Sequence, residues 1–456
     1  MNNNQNLYHE LREKYPEFIY SGYSITESGH ALNLDFYFEI PGLARFQPHW
    51  EIDKPKDSES DLSDNRLQTL AFSLGLVELI SYWKLTCSPL VQIDCGFLSS
   101  EQVAWWKKLY KKGLGEFFYT NGIEPDEDFM TIISEGEILP RLDVQAGQSA
   151  NTRVLIPIGG GKDSAVTLEL LKDFAERFCY IINPREATLN TVTAGKIPPE
   201  NLIIAKRTLD KNMLELNRRG FLNGHTPFSA LVAFSGVIAA YMHGIGFVAL
   251  SNESSANEST VPGSDVNHQY SKSLEFESDF VSYEKEYIAS NVKYFSLLRP
   301  LTEIGIAKIF ASLENYHQIF RSCNVGSKQD IWCANCPKCL FVYIILSAFL
   351  PQEEMVQIFG KDMLDDIQMK DTFEKLVGVQ SEKPFECVGS RDEVNAAMQE
   401  ILRQYENQRK ALPKLLDYYK NLGVTQSYDI GTMCAVYDES NLVPEKFVQA
   451  IKNRLG

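Results

Sequence analysis

The sequence predicts an α/β protein: a doubly wound parallel sheet, preceded by an α+β segment and followed by a mainly helical one. Three observations carry this. Short apolar runs at 154–158, 180–182, 202–205, 247–250 and 294–298 alternate with helical patterns, as parallel strands joined by crossover helices do. Residues 31–40, ALNLDFYFEI, alternate strictly, with Leu32, Leu34, Phe36, Phe38 and Ile40 on one face, which is the period of a half-buried strand. Beyond about residue 350 the chain is helical and charged, in pieces bounded by proline. The domains expected are 1–150, 151–350 and 351–456, with the first boundary in QAGQSAN, 145–151.

Each element follows in order. The strand at 31–40 pairs with the FIYSGYSI segment before it. Residues 54–65, KPKDSESDLSDN, form a charged loop. Helices are expected over 67–85 and 101–119. The second carries Trp105, Trp106, Leu109, Tyr110 and Leu114 at helical spacing, a stripe assigned to the core or a domain interface. The long apolar stretch 228–250 contains Ser229, Ser235 and His243, is broken by Gly244 and Gly246, and lacks a basic flank. It reads as a buried helix leading into a buried strand, not as a membrane span.

The totals exclude some classes. The chain has 456 residues, 44% hydrophobic and 23% charged, enough for two or three ordinary cores. A net charge of -16 argues against a nucleic-acid surface, which needs clustered lysine and arginine, but leaves room for a local basic pocket. The polar start has no signal-peptide core. Nine cysteines, odd in number and mostly scattered, do not form a secreted disulfide framework. A cytoplasmic protein is expected, with neither a nucleic-acid nor a membrane partner.

The chemistry concentrates at IPIGGGKDSAVTLELL, 156–171. Three glycines between a strand and a helix let the backbone approach a phosphate and adopt positive φ. The next helix is expected to start near Ser164, capped by Asp163 or Ser164, with Leu168, Leu171, Ala175 and Phe178 as its buried stripe. Its free N–H groups then point at an anion. The spacing fits neither a Walker loop nor G-x-G-x-x-G.

Cys333, Cys336 and Cys339 run as C-x2-C-x2-C, with Cys323 ten residues earlier. Four thiolates at this spacing suit tetrahedral zinc, closed and structural. Three of them with an outside ligand suit an iron–sulfur cluster. Cys87, Cys95, Cys179, Cys387 and Cys434 are read as ordinary core thiols.

Three polar segments follow predicted strands: 183–188, beginning Asn183-Pro184-Arg185; 206–210, with Lys206 and Arg207; and 251–272, holding Glu253, Asp265, His268 and Lys272. Arg207 suits bidentate binding of a phosphate or carboxylate. His225, in Asn223-Gly224-His225-Thr226, is either a packing histidine or a catalytic one.

Gly159, Gly160, Gly161, Lys162, Asp163 and Ser164 resemble the SGGxDS loop of the PP-loop ATP pyrophosphatases at five of six positions. Gly159 stands where that family usually has serine, which removes one hydroxyl donor. PP-loop enzymes that make 7-cyano-7-deazaguanine carry a similar cysteine cluster after their sheet. More of the chain resembles the MurL family of UDP-N-acetylmuramoyl-L-alanyl-L-glutamate epimerases. That resemblance rests on GLGEFFYTNGI (113–123), IPIGGGKDS, RTLDKNMLELNRRGFLNGHTPFSAL (207–231), ALSNESSANEST (249–260) and CANCPKC.

The resemblance implies an enzyme of peptidoglycan precursor synthesis, and hence of cell shape and division. It would use ATP and Mg2+ to invert the terminal L-Glu of UDP-MurNAc-L-Ala-L-Glu, releasing AMP and pyrophosphate. Pyrophosphate would leave into the glycine loop, with adenine beside the second strand near Asn183. Candidates for the base are His225, Asp265, Glu253 and His268. Arg207 is a candidate ATP ligand, and Lys206 and Lys272 are candidates for the substrate's anionic groups. Rival readings are another PP-loop adenylating enzyme (amide-forming, nitrile-forming or tRNA-modifying) or a nucleotide-binding regulatory module.

Overall fold

A computed structural model describes residues 3–56, 61–137, 152–258 and 266–455. The expected boundary at 145–151, part of the charged loop 54–65, and Asp265 lie outside these residues. The described strands are β1 Glu17–Ser28, β2 Ala31–Ile40, β3 Ala44–Phe46, β4 His49–Asp53, β5 Leu90–Ile93, β6 Thr131–Ser134, β7 Arg153–Pro157, β8 Glu176–Ile182, β9 Leu202–Thr208, β10 Phe247–Leu250 and β11 Lys293–Ser296. They form one 11-stranded sheet in the order β11-β10-β7-β8-β9-β4-β2-β1-β5-β6, with β3 on β2.

The five strands expected to be parallel are parallel. The chain runs outward from β7 through β8 to β9, then returns to lay β10 and β11 on the other side of β7. The reversal opens a crevice beyond the carboxyl ends of β7 and β10, where open α/β sheets bind ligands. Leu155 packs on one face of the sheet and Val154 and Ile156 on the other. Burial on both faces explains why these strands read as continuous apolar runs rather than alternating ones.

The α+β segment extends the same sheet. β4 pairs antiparallel with β9, from His49 opposite Thr208 to Ile52 opposite Ala205. This pairing carries β9 three residues beyond the apolar run that predicted it. β1 and β2 pair antiparallel as expected, with a register shift between Tyr20 and Gly22. Helices Asn65–Trp83 and Phe228–Met242 cover one face. Helices Lys162–Leu170, Glu303–Ala311 and Pro337–Ser347, with the helical carboxyl-terminal part, cover the other.

Local departures have local causes. The expected helix 101–119 is two, Ser100–Gly113 and Gly115–Asn121. A Cβ at Gly113 would stand 2.9 Å from Pro227, so the turn between them lies close against the segment leading into Phe228. Trp106, Leu109, Tyr110 and Leu114 are core, as their spacing predicts. The 228–250 stretch is the helix Phe228–Met242 followed by β10. Among the described residues no helix is long and apolar enough to cross a membrane.

Candidate active site

The glycine loop lies at the carboxyl end of β7. Gly160 has φ 80°, and a Cβ there would meet Ala187 Cβ at 3.0 Å, so the loop packs tightly on the start of helix Glu186–Ala194. Its carbonyls are tied back: Arg185 Nη2 donates to Gly159 O at 3.0 Å, and the Arg321 amide donates to Gly160 O at 2.7 Å. A Cβ at Gly159 would meet nothing within 4 Å, so the position where the resembled loop has serine faces open space.

The helix begins two residues earlier than expected, at Lys162, with Gly161 as N-cap and no side-chain cap. Neither Asp163 nor Ser164 caps it, since both lie inside the first turn. The Ser164 hydroxyl donates to Gly161 O at 3.1 Å. The helix closes at Leu170 and Phe178 belongs to β8, so the expected stripe is split between two elements. The start of the helix, Gly161 with Asp163 and Ser164, borders the cavity, and a helix N-terminus carries unpaired amides and the positive end of the dipole.

Lys162 does not point into the crevice. It is 1% exposed and its ammonium is paired with Asp163 and Glu303. Burial disfavours the ammonium, but these two carboxylates outweigh it and hold Lys162 protonated. Burial likewise works against ionised Asp163, yet Lys162, with Lys338 and Lys272 behind it, keeps its carboxyl below the usual range. The Glu303 amide donates to Glu393 Oε1 at 2.6 Å, tying the start of helix Glu303–Ala311 to helix Arg391–Gln408.

Beyond the loop opens a cavity of about 510 Å3, within the range of small-molecule sites. Gly159, Gly161, Asp163 and Ser164 form one wall, and Asn183, Arg185 and Thr188 the next. Tyr180, Ile182, Phe228, Val232 and Leu250 make an apolar side. Lys272, Lys338, Ser322, Asn324 and Cys387 close the rest. A basic pocket therefore sits in an acidic protein. Asn183, at φ 51°, clips the ends of β8 and β9 together: its side chain accepts from Arg207 N at 2.9 Å and donates to Arg207 O at 3.1 Å.

A chain of ionisable groups runs through one corner. Lys272 Nζ lies 3.1 Å from Cys387 Sγ, and the Lys338 ammonium donates to the Cys387 carbonyl. His268 Nδ1 is 2.5 Å from Glu116 Oε2, and His225 Nδ1 is 3.1 Å from the same oxygen. The two imidazoles stand 4.8 Å apart between ring centroids. Burial opposes charge on both. It wins at His225, pushed down to about 4. At His268, hydrogen bonds donated to Cys387 and Glu116 overcome it and raise the group to about 9. Burial would raise the Cys387 thiol, but Lys272, His268 and Lys338 outweigh it and draw it down to about 6.

The four clustered cysteines converge. Sγ–Sγ distances are 3.9 Å for Cys323–Cys336, 3.7 Å for Cys333–Cys339 and 3.4 Å for Cys336–Cys339. A tetrahedron with metal–sulfur bonds of about 2.3 Å has edges of about 3.8 Å. The spacing suits a single tetrahedrally bound ion. The Gly326 amide donates to Cys323 Sγ at 3.1 Å, and Cys336 is the N-cap of helix Pro337–Ser347.

The structure thus gathers Gly159, Gly161, Asp163, Ser164, Asn183 and Lys272 around one cavity, and His225 with His268 behind Lys272. It does not bring Arg207 or Lys206 there. Arg207 makes a bidentate pair with buried Glu78, at 2.7 and 2.9 Å, and Lys206 pairs with Glu51 on the surface at 3.0 Å. Glu253 is buried, its charge acting on Lys272, and it does not line the cavity. Cys387 is no ordinary core thiol. It comes from the helical carboxyl-terminal part, where the sequence showed no chemistry. Lys338 was legible only as part of CPKC, and Glu116 only as one carboxylate in a helix. Their pairing across long sequence separations has no local signal.

Comparison with known proteins places these features in context. Two family models match, one described as the MurL N-terminal domain over residues 9–297 and one as the MurL C-terminal domain over residues 319–423. A protein of Xanthomonas oryzae pv. oryzae named UDP-N-acetyl-alpha-D-muramoyl-L-alanyl-L-glutamate epimerase is 35% identical over 355 residues, 75% of this chain and 76% of its own. Proteins of the same name from Salinispora tropica and a Micromonospora species are 33% and 32% identical. They cover 85% and 87% of this chain, and 85% and 89% of their own. No solved structure matches the chain.

Proposed function

The chain belongs to the MurL family and is an epimerase, and from that premise we propose that it inverts the terminal L-Glu of UDP-MurNAc-L-Ala-L-Glu by way of an acyl-adenylate, converting ATP to AMP and pyrophosphate. The observation that carries this reading is the uncapped glycine-loop helix opening on a basic cavity that also holds a perturbed thiol. The fold is then of the PP-loop class, and β7 at the middle of the five parallel strands β11-β10-β7-β8-β9 supports that class.

The chemistry has a physical reason. A Cα–H beside a carboxylate is a very weak acid, because its carbanion would stand next to negative charge. Adenylation removes that charge and leaves an ester-like carbonyl that accepts the carbanion's electron pair as an enolate. The first-turn amides would receive the departing pyrophosphate, and Asp163 and Ser164 would hold its Mg2+. Asn183 and Arg185, at the end of β8, would face the nucleoside. Lys272 and Lys338 would hold the substrate's anionic groups. After inversion, water hydrolyses the adenylate to the free D-Glu carboxylate and AMP. The four-cysteine site would hold structural Zn2+, which keeps the start of helix Pro337–Ser347, and so Lys338, in place. The reaction would run in the cytoplasm.

The test incubates the protein with UDP-MurNAc-L-Ala-L-Glu, ATP and Mg2+ in D2O, and follows AMP, deuterium at the glutamate Cα and its configuration. AMP with deuterated D-Glu is expected. AMP without deuterium or inversion would keep an adenylating enzyme but reject this reaction.

A further inference from the structure

We propose that the Cys387 thiolate is the group that takes the Cα proton of the activated glutamate, with Lys272 and His268 as its positioning residues; this deepens the proposed epimerase reading and rests on it.

Among the ionisable groups lining the cavity, Asp163, Arg185, Lys272, Lys338 and Cys387 stand out, beside Cys323 of the four-cysteine site. Arg185, Lys272 and Lys338 are basic side chains, suited to holding anions. Asp163 is paired with Lys162 at the glycine loop. Cys387 remains as a base. The residue is half-buried and lines the cavity, and its sulfur lies 3.1 Å from the Lys272 ammonium. His268 also hydrogen-bonds to it. Lys338 lies against its carbonyl, and the neighbouring Glu386 accepts from Asn324. An ammonium and a protonated imidazole at one buried thiol favour the thiolate. The thiol is drawn down to about 6, so it is ionised at neutral pH and poised for proton transfer. The two histidines do not line the cavity and are engaged with Glu116.

The step balances. The Cα–H bond breaks and an S–H bond forms at Cys387, while the C–H electron pair moves onto the acyl carbonyl as an enolate. Water on the opposite face returns a proton to Cα, inverting it. The hydroxide so formed takes the proton from the thiol, restoring thiolate and water.

Two readouts on the full chain separate this role from others. Substrate-dependent exchange of labelled pyrophosphate into ATP reports adenylation, and deuterium uptake at the glutamate Cα reports proton transfer. Cys387→Ser is expected to keep the exchange while deuterium uptake falls about 10²–10⁴-fold, the usual contribution of a general base. Wild-type uptake by Cys387→Ser would overturn the assignment. If the variant loses both activities, the wild-type pH profile decides. Uptake must then fall below about pH 6 while pyrophosphate exchange does not, and two curves that stay flat or fall together would overturn it. A wild type inert in both readouts would sink the epimerase reading and this inference with it. An active wild type with an active Cys387→Ser sinks the inference alone.

Discussion

Gly160 shows how much one backbone position controls. At φ 80° with Ala187 Cβ 3.0 Å from the position of its own missing Cβ, it admits no larger residue without shifting the loop. Gly160→Ala should cost about 1–2 kcal/mol of stability from the left-handed backbone alone, and should abolish pyrophosphate exchange more completely than that cost explains; denaturation and exchange measured on one sample check this. His268 carries a pH signature. It is raised to about 9, above its ordinary range near about 6.5. Its stabilising pairing is therefore complete below about pH 6.5 and is lost as pH rises through about 9. Denaturation midpoints should fall across that interval in the wild type and be flatter in His268→Gln. Gly160 was legible in the sequence because three adjacent glycines after a strand have few other uses. Cys387 was not, because its ionisation depends on Lys272, which is 115 residues away in sequence.

Arg207 sits on a strand that carries it away from the cavity. Its side chain is 12% exposed and Glu78 is 0%. Truncating Arg207 leaves that carboxylate buried without its partner, which costs about 3–5 kcal/mol. Arg207→Ala should thus lower the denaturation midpoint sharply, while the Michaelis constant for ATP in the folded fraction stays near wild type. The sequence pointed Arg207 at a phosphate because arginine after a strand is chemically apt. It could not show that Glu78, on helix Asn65–Trp83, claims the guanidinium. The cysteine segment is the opposite case, since its close spacing was visible as C-x2-C-x2-C. Metal analysis should find about one zinc per chain, falling toward none in Cys336→Ser, with earlier unfolding of the segment that carries Lys338.

The sheet makes the α+β segment and the parallel strands one body. β4 covers the edge of β9 over Ile52 to His49, and residues from both parts share one core on that face. Unfolding should therefore appear as one transition for both, by calorimetry and by tryptophan fluorescence together. A chain starting at residue 152 would bare the β9 edge, an invitation to association through unpaired strand groups; it should be insoluble or oligomeric on gel filtration.

Local chemistry in the sequence was enough for the parallel strands, the glycine loop between strand and helix, the four-thiol cluster and the family. Each is written in neighbouring residues: apolar period, glycine spacing, cysteine spacing. The side on which β10 returns to β7, the joining of β4 to β9, the inward turn of Lys162 and the meeting of Lys272, His268 and Cys387 were settled in three dimensions. These depend on burial and charge pairing between distant segments, where the energy of a contact is set by its surroundings and not by the residues beside it in the chain.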